Sequence, residues 1–377
     1  MAGHRRQLGD QLPAAFERIQ VAAVAVATSQ PTLRLGADGR ALLAFQAGPP
    51  GVTATWIATI DENAPNRPSV EVRRLTSADQ SATPPRVALT RAGDIVGTYV
   101  GTSPAGTYPR FLRWSAGEDD PSDAPIGAVP TGDTVPAIAI DAQDRPIVAH
   151  VFSDLSLRVA RLDNGAWTRE TVEVGVVPFD STLIDMTLDA SGQPALVGSS
   201  LAGTAYGGGG GDRIPSAMGL TAWVRGSSGW TRERMATGYP GIRAQLRLAP
   251  DGALQAYFSS AGYPTMARAV RRGEQDWRED VPLAGDDGRT LRSGAFDVAI
   301  GGGGEVHVAH TNEHGVGYAI YDGCRWSEAI VVSDSGDAPT IALDSGGRPR
   351  IGYEIPTATD NYGQTTMVEV WYAHPTP

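Results

Sequence analysis

Residues 137–150 read AIAIDAQDRPIVAH: a short apolar strand, a tight polar turn and a second apolar strand. Successive turns of this kind begin 54, 51, 48, 60, 52 and 43 positions apart, at Gly36, Thr90, Asp141, Asp189, Ala249, Gly301 and Asp344. A period of roughly fifty residues leaves room for four short strands in each unit, which is typical of the blades of a β-propeller. The repeat therefore predicts an all-β fold with seven blades.

The strands are predicted from alternating apolar residues. In the first strand of each unit a small residue commonly separates two large ones, as Ala139 separates Ile138 and Ile140. An alternation with a period of two residues favours strands, and a large face opposite a small face lets neighbouring sheets nest. The predicted blades begin near residues 31, 85, 136, 184, 243, 295 and 338. In blades three to six the fourth strand is expected to open with a tryptophan, at Trp167, Trp230, Trp277 and Trp326.

The last unit contains only three strands before the chain stops at Pro377. A further strand-like segment, residues 16–27, precedes the first unit. We expect this segment to complete blade seven, because such closure removes free sheet edges and joins both ends of the chain in one ring. The interpretation makes residues 1–377 a single domain, and it makes residues 21–26 a strand instead of a signal sequence.

Composition limits the classes of partner. The net charge is −11 and all 31 basic residues are arginine, with no lysine and no cluster of basic residues. We therefore expect no nucleic acid partner, since binding to phosphates needs a basic surface, and Schiff-base chemistry on lysine is excluded. No segment approaches the roughly 20 apolar residues of a membrane span. The single cysteine, Cys324, has no partner for an intrachain disulfide, and we expect neither a cofactor nor a metal.

The unit at residues 137–167 resembles the repeats of bacterial sialidase-like (BNR-type) propellers. The Asp box of that family reads Ser-x-Asp-x-Gly-x-Thr-Trp, whereas residues 163–167 here read Asp-Asn-Gly-Ala-Trp. The family's Phe/Tyr-Arg-Ile-Pro motif is represented only by Arg213-Ile214-Pro215, in the middle of the chain and preceded by Asp212. The resemblance implies the propeller fold and a secreted or periplasmic protein. It does not imply sialidase activity, because no arginine triad or Tyr/Glu nucleophile pair is found.

One position of each first strand is expected to lie at the mouth of the central channel. It lies four residues before each turn, and the residues there are Thr32, Arg86, Ala137, Asp185, Gln245, Asp297 and Thr340. We call these seven residues the mouth register. Their polar variety predicts one central site, with Arg86 and Gln245 as ligand-binding residues and Arg86 facing an anion.

Two carboxylates of the mouth register are candidates for catalysis. Asp185 and Asp297 belong to blades four and six, and a pair of carboxylates across a cleft can do acid–base work on a glycosidic bond. The alternative is that each aspartate caps backbone amides at the entrance of a strand. For Arg86 the alternative is an exposed arginine or one that is paired with an aspartate.

Three further candidates lie at the ends of second strands. His150, His310 and Tyr353 offer an imidazole and phenol set of the kind that β-eliminating polysaccharide lyases use. The alternative is that each histidine is buried and hydrogen-bonded. Neither His150 nor His310 is predicted to have the spacing of a metal ligand with another histidine or carboxylate on the same strand.

Two long loops are expected on the same face as the channel mouth. The loop of blade four contains Tyr206, five consecutive glycines and Arg213, and that of blade seven contains Glu354 and Tyr362. We interpret these four residues as candidate ligand contacts, and the glycine run at 207–211 as either a lid or a neutral insertion.

Taken together, these residues predict a propeller that recognises a carbohydrate or another polar ligand at the channel mouth. One alternative is a polysaccharide lyase or glycoside hydrolase that acts at the same mouth. Another is a protein-interaction platform that has no small-molecule site.

Overall fold

The computed structural model describes residues 13–25, 31–48, 53–65, 67–76, 83–103, 106–115, 118, 120–127, 135–176, 184–201, 218–237, 240–260, 263–282, 295–327, 330–359 and 365–376. These residues form 28 β-strands in seven four-stranded antiparallel sheets, and none of them is helical. Accordingly, no helix that could cross a membrane is found in this part of the chain. The predicted fold, a seven-bladed propeller, is confirmed.

Each sheet is one blade. Blade one consists of β2 (Thr32–Leu35), β3 (Ala41–Ala47), β4 (Ala54–Asp61) and β5 (Ser69–Arg74). Blade two consists of β6 (Arg86–Leu89), β7 (Ile95–Ser103), β8 (Gly106–Trp114) and β9 (Ser122–Pro125). Blade three consists of β10 (Ala137–Ile140), β11 (Pro146–Val151), β12 (Ser156–Asp163) and β13 (Ala166–Val174). Blade four consists of β14 (Asp185–Leu188), β15 (Pro194–Leu201), β16 (Met218–Gly226) and β17 (Gly229–Thr237).

The remaining blades follow the same order, except for the origin of one strand. Blade five consists of β18 (Pro240–Leu248), β19 (Leu254–Ser260), β20 (Tyr263–Gly273) and β21 (Asp276–Pro282). Blade six consists of β22 (Phe296–Ile300), β23 (Val306–Asn312), β24 (Gly315–Tyr321) and β25 (Ile330–Ser333). Blade seven consists of β26 (Asp337–Leu343), β27 (Pro349–Thr359), β28 (Thr365–Pro375) and β1 (Phe16–Ala25).

The first strand of every blade is the innermost one. These seven strands contact one another in a closed circle, in the order β2, β6, β10, β14, β18, β22, β26 and back to β2. They therefore surround the central channel of the propeller. Because the mouth register lies on these strands, its side chains are presented to the channel and to the seams between blades.

Strand β1 closes the ring, as the sequence predicts. It pairs antiparallel with β28, from Phe16 opposite Pro375 to Ala25 opposite Met367, with one register shift between Gln20 and Ala22. It is the outermost strand of blade seven, so this blade is assembled from both ends of the chain. The closure hypothesis is confirmed.

The hydrophobic core lies between the blades, because each sheet is apolar on both faces. In blade three Ala137 packs against Met186 of blade four, whereas Ile138 on the opposite face packs against Phe111 of blade two. The four repeated tryptophans pack in the same way, each against the preceding blade. Trp167, for example, meets Phe111 edge-on with ring centroids 5.3 Å apart.

Candidate functional site

Most polar side chains of the mouth register form a hydrogen bond with the backbone of the next blade. Asp185 of blade four accepts a hydrogen bond from the Leu246 amide of blade five at 2.9 Å. Gln245 of blade five donates to the Phe296 carbonyl of blade six at 3.0 Å and accepts from the Val298 amide at 3.0 Å. The mouth register therefore connects neighbouring inner strands.

The same connection continues around the ring. Asp297 of blade six accepts from the Ile341 amide of blade seven at 2.9 Å. Thr340 accepts from the Leu33 amide of blade one at 3.2 Å, and Thr32 donates to the Pro85 carbonyl of blade two at 2.9 Å. The capping alternative for the two aspartates is thus what the geometry shows, with the capped amides in the neighbouring blade, although Asp297 also accepts from the amide of Val298 in its own strand.

Arg247 joins the two aspartates. It lies on β18, and its Nη1 donates to Asp185 Oδ2 at 2.7 Å while its Nη2 donates to Asp297 Oδ1 at 2.9 Å. Its other three N–H groups donate to the carbonyls of Val298 and Leu246 and to the side-chain oxygen of Gln245. A guanidinium has five N–H donors, so every donor of Arg247 is used within the protein.

Two more arginines face the same charges from the opposite side of the ring. Arg34 of blade one and Arg86 of blade two both interact electrostatically with Asp185, Asp297 and Arg247. We call these five residues the channel cluster. Three arginines and two aspartates give it a formal charge of +1.

Arg34 differs from Arg247 in how its donors are used. Its Nη1 donates to the carbonyl of Leu33 at 2.7 Å, which is the one hydrogen bond of this guanidinium within the described part of the chain. No carboxylate among the described residues lies within ion-pair distance of it. Because its side chain is partly accessible, its remaining donors are available to a ligand in the channel.

The pKa values of these arginines shift in different directions, although burial lowers all three. Burial lowers the pKa of Arg34 to about 10, with Asp297 acting against it and Arg247 acting with it. Burial also lowers the pKa of Arg86. Burial acts in the same sense on Arg247, but its two aspartate partners outweigh it and raise its pKa. All three arginines are therefore cationic at neutral pH.

The sequence analysis missed Arg34 and Arg247. Both lie two residues beyond the mouth register, where other blades have the small residues Ala88, Ala139, Ala299 and Ala342. An arginine in the small-residue position of an inner strand was therefore the available signal.

The structure does not bring His150, His310 and Tyr353 together. His150 lines a small cavity with Pro109 and Ile126 at the seam between blades two and three. His310 shares a strand face with Val308, which packs between blades five and six, and Tyr353 packs between blades six and seven. The three side chains are thus buried at three different seams, and the lyase interpretation of this set remains a hypothesis without a common cavity.

Burial also fixes the charge of the two histidines. It lowers the pKa of His150 to about 3 and that of His310 to about 4, so both imidazoles are neutral at neutral pH. His310 is 2% exposed, and neither of its ring nitrogens has a hydrogen-bond partner among the described residues. Such neutral, enclosed imidazoles contribute to packing between blades.

The predicted loop contacts are mostly outside the described residues. Tyr206, Arg213 and Tyr362 all fall there. Glu354 is described and is 5% exposed, on the face of β27 where Gly352 meets Leu43 of blade one. The described residues contain no group of three or more histidine, cysteine, aspartate or glutamate side chains placed to hold a metal ion.

Comparison with known proteins shows the fold. No protein-family model and no curated protein matches the sequence. Among solved structures, the BP39L lectin from Burkholderia pseudomallei has a TM-score of 0.63 at 10% identity, covering 95% of this chain and 99% of the lectin. A PL25 polysaccharide lyase, an ulvan lyase bound to -[GlcA(1-4)Rha3S]-, has a TM-score of 0.63 at 8% identity, covering 94% of this chain and 95% of the lyase. The predicted resemblance to sialidase-like propellers is confirmed at the level of the fold.

Proposed function

We propose that this protein binds an acidic carbohydrate at the mouth of its central channel, without turning it over. The observation that carries the proposal is the incompletely used guanidinium of Arg34 in a channel cluster of net positive charge. Guanidinium groups form strong, directional hydrogen bonds with carboxylate and sulfate oxygens. The protein as a whole is acidic, so attraction of an anion must come from this local field.

Binding is favoured over catalysis by the way the carboxylates are held. Asp185 and Asp297 share the Arg247 guanidinium and cap backbone amides, so both carboxylates are held by contacts within the protein. A general acid or base needs a proton-accepting position within reach of the substrate. The channel cluster offers fixed positive charge instead.

Carbohydrate is favoured over other anions by two propellers of similar fold. One is a lectin, and the other is a lyase bound to -[GlcA(1-4)Rha3S]-, whose uronate and sulfate groups are anionic. These likenesses support a saccharide as the ligand, and the channel cluster supports its charge. A channel of this kind suits a uronate or a sulfated sugar.

The proposal is tested by calorimetric titration with uronate and sulfated oligosaccharides. We expect Arg34→Gln to weaken binding by about 10- to 100-fold, because a hydrogen bond to a charged group contributes about 1.5–3 kcal/mol. Arg278→Gln is the matched control, since this exposed arginine is paired with Asp276 on the outer strand of blade five. Carboxyl-reduced uronate oligosaccharides that carry no sulfate should not bind the wild type.

Equal binding of the reduced and acidic oligosaccharides would overturn the proposal. So would wild-type affinity in Arg34→Gln. A wild type that binds no saccharide at all would leave the protein-interaction alternative as the better account of the fold.

A further inference from the structure

Arg247 has a role in this site that differs from the role of Arg34. All five of its N–H donors are used within the protein, on partners from blades four, five and six. It therefore has no donor left for a ligand. Whatever it does for binding must act through the two aspartates that it contacts.

The aspartates determine the sign of the field in the channel. With Arg247 present, its guanidinium offsets one of the two carboxylate charges to which it is hydrogen-bonded, and with Arg34 and Arg86 counted the channel cluster keeps one formal positive charge. Without Arg247, Asp185 and Asp297 would balance Arg34 and Arg86, because each of these arginines already interacts with both carboxylates. The formal charge of the channel cluster would fall from +1 to 0.

We propose that Arg247 is the positioning residue that makes the channel select an anion. It holds the carboxylates of Asp185 and Asp297 against the inner strands and offsets one of their two negative charges, so that the channel cluster keeps a net positive charge and Arg34 is left to contact the ligand. This inference rests on the proposed function, and it adds that the specificity of the site depends on a residue that does not touch the ligand.

The charges that Arg247 joins are partly buried. The side chains of Arg247, Asp185 and Asp297 are 27%, 25% and 12% exposed. Partly buried charges interact through a lower effective dielectric constant than exposed ones and are screened less by salt. A change of one charge at this depth therefore alters anion binding more than the same change on the outer surface.

The test combines charge removal with charge compensation. In Arg247→Gln we expect the affinity for a uronate oligosaccharide to fall about tenfold at low ionic strength, because two carboxylates near the ligand lose their counterion. In the triple variant D185N/D297N/R247Q we expect affinity to return to at least the wild-type value, because the formal charge of the channel cluster rises to +2, compared with +1 in the wild type and 0 in Arg247→Gln. Arg225→Gln, which loses the ion pair with Glu170 away from the channel, is the matched control.

The triple variant separates electrostatics from structure. It lacks all the Arg247 contacts, so a purely structural role for Arg247 would leave its binding as weak as that of Arg247→Gln. Arg247→Lys retains the charge with fewer donors and should bind the oligosaccharide more tightly than Arg247→Gln. Thermal unfolding of each variant confirms that a folded ring is being titrated.

The outcomes are distinct from those that test the proposed function. If the wild type binds no acidic oligosaccharide, the proposed function fails before Arg247 is considered. If the wild type and Arg247→Gln bind equally well, or if the triple variant does not recover, the inference about Arg247 is wrong while acidic carbohydrate binding stands.

Discussion

At the scale of single residues, Glu233 shows how an outer strand is held to the next blade. Its carboxylate, on β17 of blade four, is 1% exposed as a residue and accepts two hydrogen bonds from Arg271 of blade five, at 2.9 and 2.7 Å. The indole of Trp277 and the amide of Gln275 donate to the same carboxylate. Four donors on one buried carboxylate make this a strong contact between blades.

We expect Glu233→Gln to lower the free energy of unfolding by about 3 kcal/mol, because it leaves the Arg271 charge without its partner. Burial alone would raise the pKa of Glu233, but its hydrogen bonds with Arg271, Trp277 and Gln275 lower it overall. The stabilisation is therefore present above the unfolded-state pKa and is lost as the pH falls through the lower folded-state value.

Urea denaturation between pH 7 and pH 3 checks this prediction. The difference between wild type and variant should be largest near neutral pH and should shrink in acid. A difference that stays constant down to pH 3 would contradict the assigned role of the carboxylate charge.

At the scale of elements, three of the four tryptophans that the repeat predicts lie on fourth strands, at Trp167, Trp230 and Trp277, whereas Trp326 precedes β25 and forms an isolated bridge with Tyr321. The indole of Trp167, on β13, packs edge-on against Phe111 of blade two and contributes to the cluster with Val96 and Ile126. Recurrence of tryptophan at one place in four blades indicates packing, since a single ligand site would not need it four times.

We expect Trp167→Ala to cost about 3 kcal/mol, near the lower end for such truncations because the side chain is only partly buried. Saccharide affinity should not change, since Trp167 lies on an outer strand away from the channel cluster. Chemical denaturation and titration of the same preparation check both parts. Lost affinity with unchanged stability would instead make Trp167 a stacking platform for sugar rings.

The inner strands show how far the sequence could predict the structure. Alternation of large and small residues specified the strands, and the seven turns specified the blades, because both signals are local and repeat at a fixed period. The mouth register was also predicted as a set of inner-strand positions. What it does there was not predictable, since Asp185 and Asp297 reach amides in blades that lie about fifty residues further along the chain.

Side-chain direction was the other limit on prediction. His150, His310 and Tyr353 occupy equivalent strand ends, which suggested one site. The two faces of a strand lead to two different seams, and equivalent positions in different blades are repeated around the ring instead of being brought together. Arg34 interacts electrostatically with the two carboxylates that Arg247 contacts, because the innermost strands alone converge on the channel.

At the scale of the whole molecule, the seam between blades seven and one completes the ring. Glu62 of blade one accepts hydrogen bonds from Arg350 and Tyr372 of blade seven, with the Nη2 atom of Arg350 at 2.8 Å. The same seam buries Leu43, Val370 and the β1 residue Val21 in one hydrophobic cluster. Closure therefore depends on contacts between the first and last parts of the chain.

Deletion of residues 1–27 tests whether β1 is essential to this closure. The truncated chain loses the whole ladder to β28, exposes a new strand edge there and removes Val21 from the core between blades seven and one. Because the seven seams form one closed circuit, weakening a single seam should lower the stability of the entire ring. We expect a clearly lower midpoint of thermal unfolding, with a single transition retained.

A deletion of residues 1–12 is the matched control, since it leaves the whole pairing of β1 with β28 in place. Addition of a peptide of residues 13–27 to the longer deletion should restore part of the lost stability, because the open edge of β28 offers the same hydrogen-bonding groups as in the intact protein. If the 1–27 deletion and the full chain unfold at the same temperature, blade seven is stable with three strands. The seam between blades seven and one would then be held by Glu62, Arg350 and the core beneath them, and β1 would be an addition to a ring that is already closed.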